Sequence, residues 1–145
     1  SIPPSRHRPN RGVEKVSLYD NFAELGLPEP SIVPSLDAFG EDTPQKLIEA
    51  NNGEQFDAMV TDPPYGIRAS MDVDEPTLFG NVLELARKLL KPNGKLVFLF
   101  PQDPPEDDQH FLHALAKEYG FAVQSLGWER FQQRQMRMIA VLRTI

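Results

Sequence analysis

Alternating strand and helix patterns in the second part of this chain limit its fold more than any other feature of the sequence. The apolar run FDAMVT (Phe56–Thr61) has the length of a strand and is apolar enough to be a central, parallel one. A helical pattern beginning near Pro76 follows, and then a second apolar run, KLVFLF, ends at Pro101. This order predicts a parallel pair of strands within an α/β sheet that has helices on its faces.

The remaining segments are predicted to extend this sheet. EDDQHFLHALAKEYG has acidic residues at its start, an apolar face and Gly120 at its end, which together predict a helix. FAVQSLGW and MRMIAVLRT are predicted to be two final strands in a hairpin, with one strand antiparallel, and ERFQQRQ between them to be a projecting loop. KPNGK, before the second strand, is predicted to be a turn.

Upstream of Phe56 the sequence predicts two helices with an extended piece between them. VEKVSLYDNFAEL, which begins at Val13, has apolar residues at three-residue spacing and is followed by Gly26, so we expect an amphipathic helix with a glycine cap. TPQKLIEANNGE is predicted to contain a second, short helix. A short strand is expected around Ile32–Leu36, with Asp37 at its end.

Length and composition predict a single globular domain. The 145 residues are 40% hydrophobic, which is enough for a core, and none is cysteine, which excludes disulfide scaffolds, thiol chemistry and cysteine-ligated zinc. The longest apolar run, LVFLF, is far too short to span a bilayer. Residues 1–12 lack the apolar segment of a secretory signal, so an intracellular, cytoplasmic protein is expected.

The charge of the chain is unevenly distributed. Residues 1–12 contain three arginines and no acidic residue, and because the whole chain carries −6, the remaining residues carry −9. An acidic body argues against binding of nucleic acid by bulk electrostatics alone. We expect residues 1–12 to be a basic flexible segment that either contacts phosphates or stays solvated, and residues 13–145 to form the domain.

The stretch TDPPY directly follows the first strand, at the carboxyl end where open α/β sheets bind ligands. Each proline offers a carbonyl acceptor but no N–H donor, and Asp62 adds carboxylate oxygens. The prolines stiffen the turn, and Tyr65 provides a flat ring for stacking. The pattern predicts a site for a planar ligand with an exocyclic amine; the alternative is an ordinary turn in which Asp62 caps and Tyr65 packs.

The longer motif FDAMVTDPPYGIRA resembles that of Rossmann-like, S-adenosylmethionine-dependent methyltransferases that act on exocyclic amines. The extension GIRA and the segment DNFAELGL (Asp20–Leu27) are similar to the THUMP-associated tRNA guanosine-10 N2-methyltransferases. The resemblance is dense over Val13–Phe100 and thin after Pro101. It implies a Rossmann-like class I methyltransferase sheet that ends in the antiparallel hairpin, with S-adenosylmethionine as cofactor and tRNA as substrate.

This resemblance also implies roles for the residues of the motif. Asp62 and the carbonyl of Pro63 accept hydrogen bonds from the target amine, which orients its nitrogen toward the methyl donor. Pro64 and Tyr65 complete the catalytic turn. Tyr65 stacks on a base that is flipped out of its helix and so offsets part of the cost of unstacking.

Three further residues receive roles from the resemblance. Gly66 allows close approach of the backbone to the substrate. Arg68 contacts a phosphate, or is simply a surface arginine on a loop. Asp37 and Asp62 contact the cofactor, Asp37 at its adenine; the alternative for Asp37 is an ordinary turn residue.

The glycine-rich turn that holds the cofactor in this fold is missing from the sequence. The nine glycines are all at least seven residues apart, so there is no G-x-G, and no apolar strand precedes Val13. We therefore expect the chain to be the C-terminal part of a larger methyltransferase domain, without its first strand. Alone, it is expected to bind S-adenosylmethionine poorly or not at all and to be inactive.

Two alternative functions stay open beside guanosine N2-methylation in tRNA. One is methylation of the N6 amine of adenine in a nucleic acid. The other is a non-catalytic module that binds RNA or a protein, which the missing glycine turn favours and the intact DPPY opposes. The resemblance further implies a small zinc-binding activator protein as a partner.

Two other groups of residues have ordinary structural explanations. His110 and His113 are three apart on a predicted helix without a visible third ligand, so no metal site is predicted. A basic and aromatic group near the hairpin either contacts RNA or belongs only to a strand and its loop: Trp128, Arg130, Arg134 and Arg137.

Overall fold

Four strands form the sheet in the part of the chain that the structure describes, with helices before and between them along the sequence. The computed structural model describes residues 17–63, 75–101, 110–133 and 135–145. Two compact units are separated between Pro34 and Ser35, with α1 in the first and all other elements in the second. The elements are α1 (Leu18–Glu24), α2 (Thr43–Ala50), β1 (Phe56–Thr61), α3 (Glu75–Leu89), β2 (Leu90–Pro101), α4 (His110–Glu118), β3 (Phe121–Gln132) and β4 (Gln135–Thr144).

The order of the strands across the sheet is β1-β2-β4-β3. β1 and β2 are parallel, with α3 in the connection between them, and β4 is antiparallel to both of its neighbours, β2 and β3. The structure thus confirms the predicted α/β sheet, its parallel pair and its C-terminal hairpin with one antiparallel strand.

A single hydrophobic core joins α3 and α4 to one face of the sheet. The strand residues in this core alternate along β2 and β4, as expected when one face of each strand is buried. The ring of Phe79 on α3 lies 5.4 Å from the ring of Phe98 and 4.4 Å from that of Phe100. The other core residues on β2, β4 and α4 are Leu90, Leu96, Leu112, Ala116, Met138, Ala140 and Leu142.

β1 lies at the edge of the sheet that the described residues form, although its apolar sequence predicts a central strand. The parallel pairing with β2 is confirmed, with Thr61 opposite Phe98, but none of the described strands pairs with the outer edge of β1. Val60 is 71% exposed. The prediction of a central position is therefore wrong for the described sheet, because an apolar run identifies a strand without identifying its neighbours.

The sequence KPNGK lies within the bounds of β2 as a bulge, whereas a separate turn before the strand was expected. Phe56 is opposite Leu90, but Ala58 is opposite Lys95, so residues 91–94 face a single residue of β1. Asn93 has φ 64°, a left-handed conformation that asparagine tolerates and that interrupts regular pairing.

Two expectations for the connecting segments are wrong. Ile32–Leu36 is not a strand: a turn forms at Pro34 and Ser35, because proline lacks the N–H that a ladder needs and Ser35 has φ 56°. The described residues of ERFQQRQ do not project as a loop, since the β3–β4 pairing continues as far as Gln132 opposite Gln135. A polar sequence is compatible with a strand when its side chains reach solvent.

Helix α1 begins later than the expected start at Val13, because Ser17 is its N-cap. The Ser17 side chain accepts a hydrogen bond from the Asp20 N–H, and the Asp20 carboxylate accepts one from the Ser17 N–H. These hydrogen bonds, first that from the Ser17 backbone, lower the pKa of Asp20. At the other end, Gly26 has φ 69°, which confirms the predicted glycine cap.

We predict that Gly94→Ala lowers the free energy of unfolding by about 1–3 kcal/mol, as overpacking at a buried position does. A Cβ at Gly94 would lie 2.8 Å from the backbone oxygen of Lys91 and 3.3 Å from that of Asp57, and neither backbone atom can move without disturbing the bulge. Urea unfolding followed by circular dichroism measures the change.

Gly127→Ala on β3 is the matched control. A Cβ there meets no atom within 4 Å, so we expect the free energy of unfolding to stay the same or to rise by about 0.5 kcal/mol. Equal losses in the two variants would mean that the crowding at Gly94 does not limit the stability of the β1–β2 pair.

Candidate functional site

The DPPY turn begins at the edge of the sheet where the parallel strands β1 and β2 both end. Asp62 and Pro63 follow the last residue of β1 directly. Pro63 is buried, and the side chain of Asp62 is 60% exposed. The described part of the motif therefore consists of an accessible carboxylate next to a buried proline.

An arginine from the hairpin lies next to this carboxylate. Because β4 is antiparallel to β2, it begins at the edge where β2 ends, and Arg137 is opposite both Pro101 of β2 and Glu129 of β3. Nη1 of Arg137 is 3.8 Å from Oδ2 of Asp62. Nε of Arg137 donates a hydrogen bond of 2.8 Å to Oε1 of Glu129, and Nη2 donates to the same oxygen.

The arrangement at this edge provides oxygen acceptors close to a fixed positive charge. The Asp62 carboxylate accepts hydrogen bonds but donates none when ionised, and the Pro63 carbonyl is a second acceptor. Such a set is suited to hold the N–H groups of an amine.

Asp37 lies in a turn that its own hydrogen bonds stabilise. Its Oδ1 accepts a 3.0 Å hydrogen bond from the N–H of Phe39, and its carbonyl accepts one from the N–H of Gly40 and one from the buried hydroxyl of Thr43. Among the described residues, these contacts are all with the turn itself and the start of α2, and none is with Asp62. Asp37 is thus a turn residue with an exposed carboxylate, not the last residue of a strand.

A cleft of about 230 Å³ lies beside this turn. The turn residues 38–41, Pro44 and the α3 residues Asn81, Glu84, Leu85 and Lys88 line it. This volume is below the 300–1,000 Å³ typical of a ligand pocket, so this cleft offers room for only part of a nucleoside cofactor.

The other predicted site residues fall outside the described part of the chain. Pro64, Tyr65, Gly66 and Arg68 belong to the segment 64–74, so their predicted roles in catalysis and substrate binding stay predictions.

Metal binding and membrane insertion find no support in the described ranges. They contain no group of three or more His, Asp or Glu side chains that is arranged to hold a metal ion, and His113 on α4 is exposed. No helix within them is long and apolar enough to cross a bilayer.

Trp128 is part of the hairpin and not of an exposed aromatic surface. It lies on β3 and packs partly buried against the core. Its Nε1–H is buried and has no hydrogen-bond acceptor among the residues that the structure describes. This position favours the interpretation of Trp128 as a strand residue over that of an RNA contact.

Sequence reasoning missed the association of Asp62 with the hairpin. Arg137 was considered only as an RNA contact or a strand residue, and Glu129 only as part of a loop. The signal that was available is the opposite charge of the two hairpin residues, which become direct neighbours once the pairing is extended beyond Trp128.

Residues 38–126 match a family model described as "RMKL-like, methyltransferase domain". This range includes Asp37's neighbour Ala38, both described residues of the DPPY motif, and the first strand of the hairpin as far as Leu126.

A curated relative and two solved structures are similar to parts of the chain. The tRNA (guanine(10)-N2)-dimethyltransferase of Pyrococcus abyssi is 36% identical over 89 residues, which is 61% of this chain and 23% of the relative. The chain thus spans about a quarter of the length of this relative. TrmN from Thermus thermophilus is 20% identical, with a TM-score of 0.46 over 76% of this chain and 27% of that protein. A methyltransferase from Pyrococcus furiosus is 18% identical, with a TM-score of 0.43 over 68% of this chain and 54% of that protein.

We predict that Asp37→Ala lowers the free energy of unfolding by about 0.5–1.5 kcal/mol, because the Phe39 N–H loses its acceptor. Asp37→Asn is the matched control: its side-chain oxygen accepts the same hydrogen bond, so the turn keeps its stability. Urea unfolding of both variants measures the difference. Equal losses would show that the charge of Asp37, and not its hydrogen bond, stabilises the turn.

Proposed function

We propose that this chain, which belongs to the family of RMKL-like methyltransferase domains, is part of an enzyme. This enzyme methylates the N2 amine of a guanosine in tRNA with S-adenosylmethionine. The observation that carries this proposal is the exposed carboxylate of Asp62 beside buried Pro63 at the ligand-binding edge of the sheet. The relative from Pyrococcus abyssi is named for the same reaction, which supports guanosine over adenine as the target.

In this proposal the target amine is bound by acceptors alone. The Asp62 carboxylate takes one N–H and the Pro63 carbonyl the other, and proline offers no competing donor at this point of the turn. Two hydrogen bonds hold the nitrogen in one orientation, so that its lone pair faces the methyl carbon. Orientation of this kind supplies much of the rate enhancement when no strong base is required.

S-adenosylmethionine supplies, when bound, a methyl group on a positively charged sulfur. Asp37 fits the adenine end of this cofactor by its chemistry: Oδ1 is engaged by Phe39, and the exposed carboxylate has further acceptor capacity for an exocyclic amine. The cleft beside the turn fits only part of the cofactor. A glycine-rich turn from a preceding segment of a longer polypeptide would hold the rest.

The RNA side of the proposal depends on residues of the 64–74 segment. Tyr65 stacks on the flipped guanine, Gly66 allows the backbone to approach it, and Arg68 contacts a phosphate. Because residues 13–145 are strongly acidic, most of the affinity for tRNA comes from outside this domain, from residues 1–12 and from an RNA-binding module of the whole enzyme. A small zinc-binding activator protein is a further proposed partner, and the cytoplasm is the proposed location.

We predict that Asp62→Ala, introduced into the whole natural polypeptide, lowers kcat at least about 100-fold, since the amine loses one of its two orienting contacts. Binding of tRNA should change less than about twofold, because phosphates supply most of the affinity. Mass spectrometry of nucleosides from the treated tRNA measures the N2-methylguanosine formed.

Asp57→Ala is the control for this experiment. Asp57 is also an exposed aspartate of β1, but its partner is Lys91 at 3.3 Å, away from the motif. It should leave kcat unchanged. Full activity of the Asp62 variant would exclude the proposed role of this carboxylate, and methylation of adenine N6 would exclude guanosine as the target.

A second prediction concerns cofactor binding by residues 1–145 alone. Because this sequence contains no glycine-rich turn and the described cleft is small, we expect a Kd for S-adenosylmethionine above about 1 mM. Isothermal titration calorimetry, with the whole natural polypeptide as the positive control, measures the difference. Micromolar binding by the 145 residues would contradict the expectation that the chain lacks half of its cofactor site.

A further inference from the structure

Three charged side chains meet at the ligand edge of the sheet, two from the strands β3 and β4 and one from the residue that follows β1. The guanidinium of Arg137 on β4 binds Oε1 of Glu129 on β3 through Nε and Nη2, and its Nη1 lies 3.8 Å from Oδ2 of Asp62, which follows β1. The side chain of Arg137 is 27% exposed, against 60% for Asp62. The cation is therefore the most enclosed member of the group.

The topology explains why this cluster is confined to one face of the sheet. Met138 and Phe98 are buried on the side of α3 and α4, and side chains alternate along a strand, so Arg137 and Asp62 project from the opposite face. β2 lies between β1 and β4, so the arginine reaches across β2 to the DPPY turn. A short side chain at position 137 does not span this distance.

The distances indicate what the arginine does to Asp62. A separation of 3.8 Å is longer than a hydrogen bond, so Arg137 attracts the carboxylate without occupying its lone pairs. The N–H groups at Nε and Nη2 point instead to Glu129, which keeps the guanidinium from closing onto Asp62 as a two-hydrogen-bond pair. The oxygens of Asp62 stay available to an incoming amine.

We infer that Arg137 is a positioning residue for methyl transfer: held by Glu129, it fixes the carboxylate of Asp62 in the orientation that receives the target amine. This inference rests on the proposed function, because Asp62 matters only if it binds the amine. Arg137 itself touches neither the amine nor the methyl group. Its effect therefore falls on kcat and not on the affinity for tRNA.

The test compares Arg137→Ala with Arg143→Ala in the whole natural polypeptide. Arg143 is the matched control, because it lies on the same face of β4 at the other end of the strand and donates a hydrogen bond to Asn93, far from Asp62 in the register. We expect Arg137→Ala to lower kcat about 10-fold, with KM for tRNA and for S-adenosylmethionine within about twofold of the natural values. Arg143→Ala should leave kcat and both KM values unchanged.

Three further measurements separate positioning from a general structural role. Added guanidinium at about 10 mM should restore part of the kcat of Arg137→Ala and leave the natural enzyme unchanged, with sodium chloride at the same ionic strength as the control. Arg137→Lys should recover only a small part, because an ammonium group does not provide the planar set of donors that binds Glu129 and faces Asp62 at once. Fluorescence of Trp128, which adjoins Glu129 on β3, should be unchanged if the hairpin is intact.

The possible outcomes distinguish this inference from the function on which it rests. If the natural enzyme forms N2-methylguanosine and Arg137→Ala does so at the same rate, the positioning role is excluded and the proposed function stands. A 10-fold rise in KM for tRNA at constant kcat would make Arg137 a phosphate contact and would also exclude positioning. If the natural enzyme forms no N2-methylguanosine, the proposed function fails, and the role of Arg137 fails with it.

Discussion

The second strand of the sheet is the element on which the rest of this structure depends. β2 pairs with β1 on one side and with β4 on the other, and its buried face meets α3 through Phe98 and Phe100 against Phe79. The register of these two pairings places Asp62 and Arg137 at the same edge of the sheet. A shift of one residue between β2 and β4 would turn Arg137 toward the core, so the charged cluster and the hydrophobic packing depend on the same alignment.

Local patterns were sufficient to predict most elements from the sequence, whereas two of the failures concern which strands become neighbours. β1 was predicted with its observed bounds because an apolar run between turn residues is a local signal, and Gly26 ended α1 as expected. The extent of the β3–β4 ladder and the edge position of β1 were not predicted, since both depend on which strands become neighbours. The strand predicted at Ile32–Leu36 is wrong for a local reason that is visible in the sequence, namely Pro34 in the middle of the segment.

The candidate site likewise has one part that the sequence alone predicts and another part that depends on the fold. The acceptor turn at Asp62 and Pro63 belongs to the five consecutive residues TDPPY, and its chemistry follows from the absence of an N–H donor on proline. The arginine beside it is 75 residues further along the chain, and only the order of the strands brings the two together. Glu129 accepts hydrogen bonds from Nε and Nη2 of Arg137, so these two groups do not pair with Asp62. A motif in the sequence thus identifies the chemistry of a site, whereas the fold decides which side chains control it.

The position of β4 has a consequence for the way this domain is made. β4 is the latest of the four strands in the sequence, yet it lies inside the sheet, between β2 and β3. During synthesis by the ribosome, β2 therefore exposes one hydrogen-bonding edge until residues 135–144 have emerged. The hairpin can form rapidly because its strands are adjacent in sequence. It then has to dock as a unit onto β2, which is complete once residue 101 has been synthesised. For that interval the nascent chain exposes an unpaired strand edge, which is a site of aggregation, and β4 covers this edge when it docks.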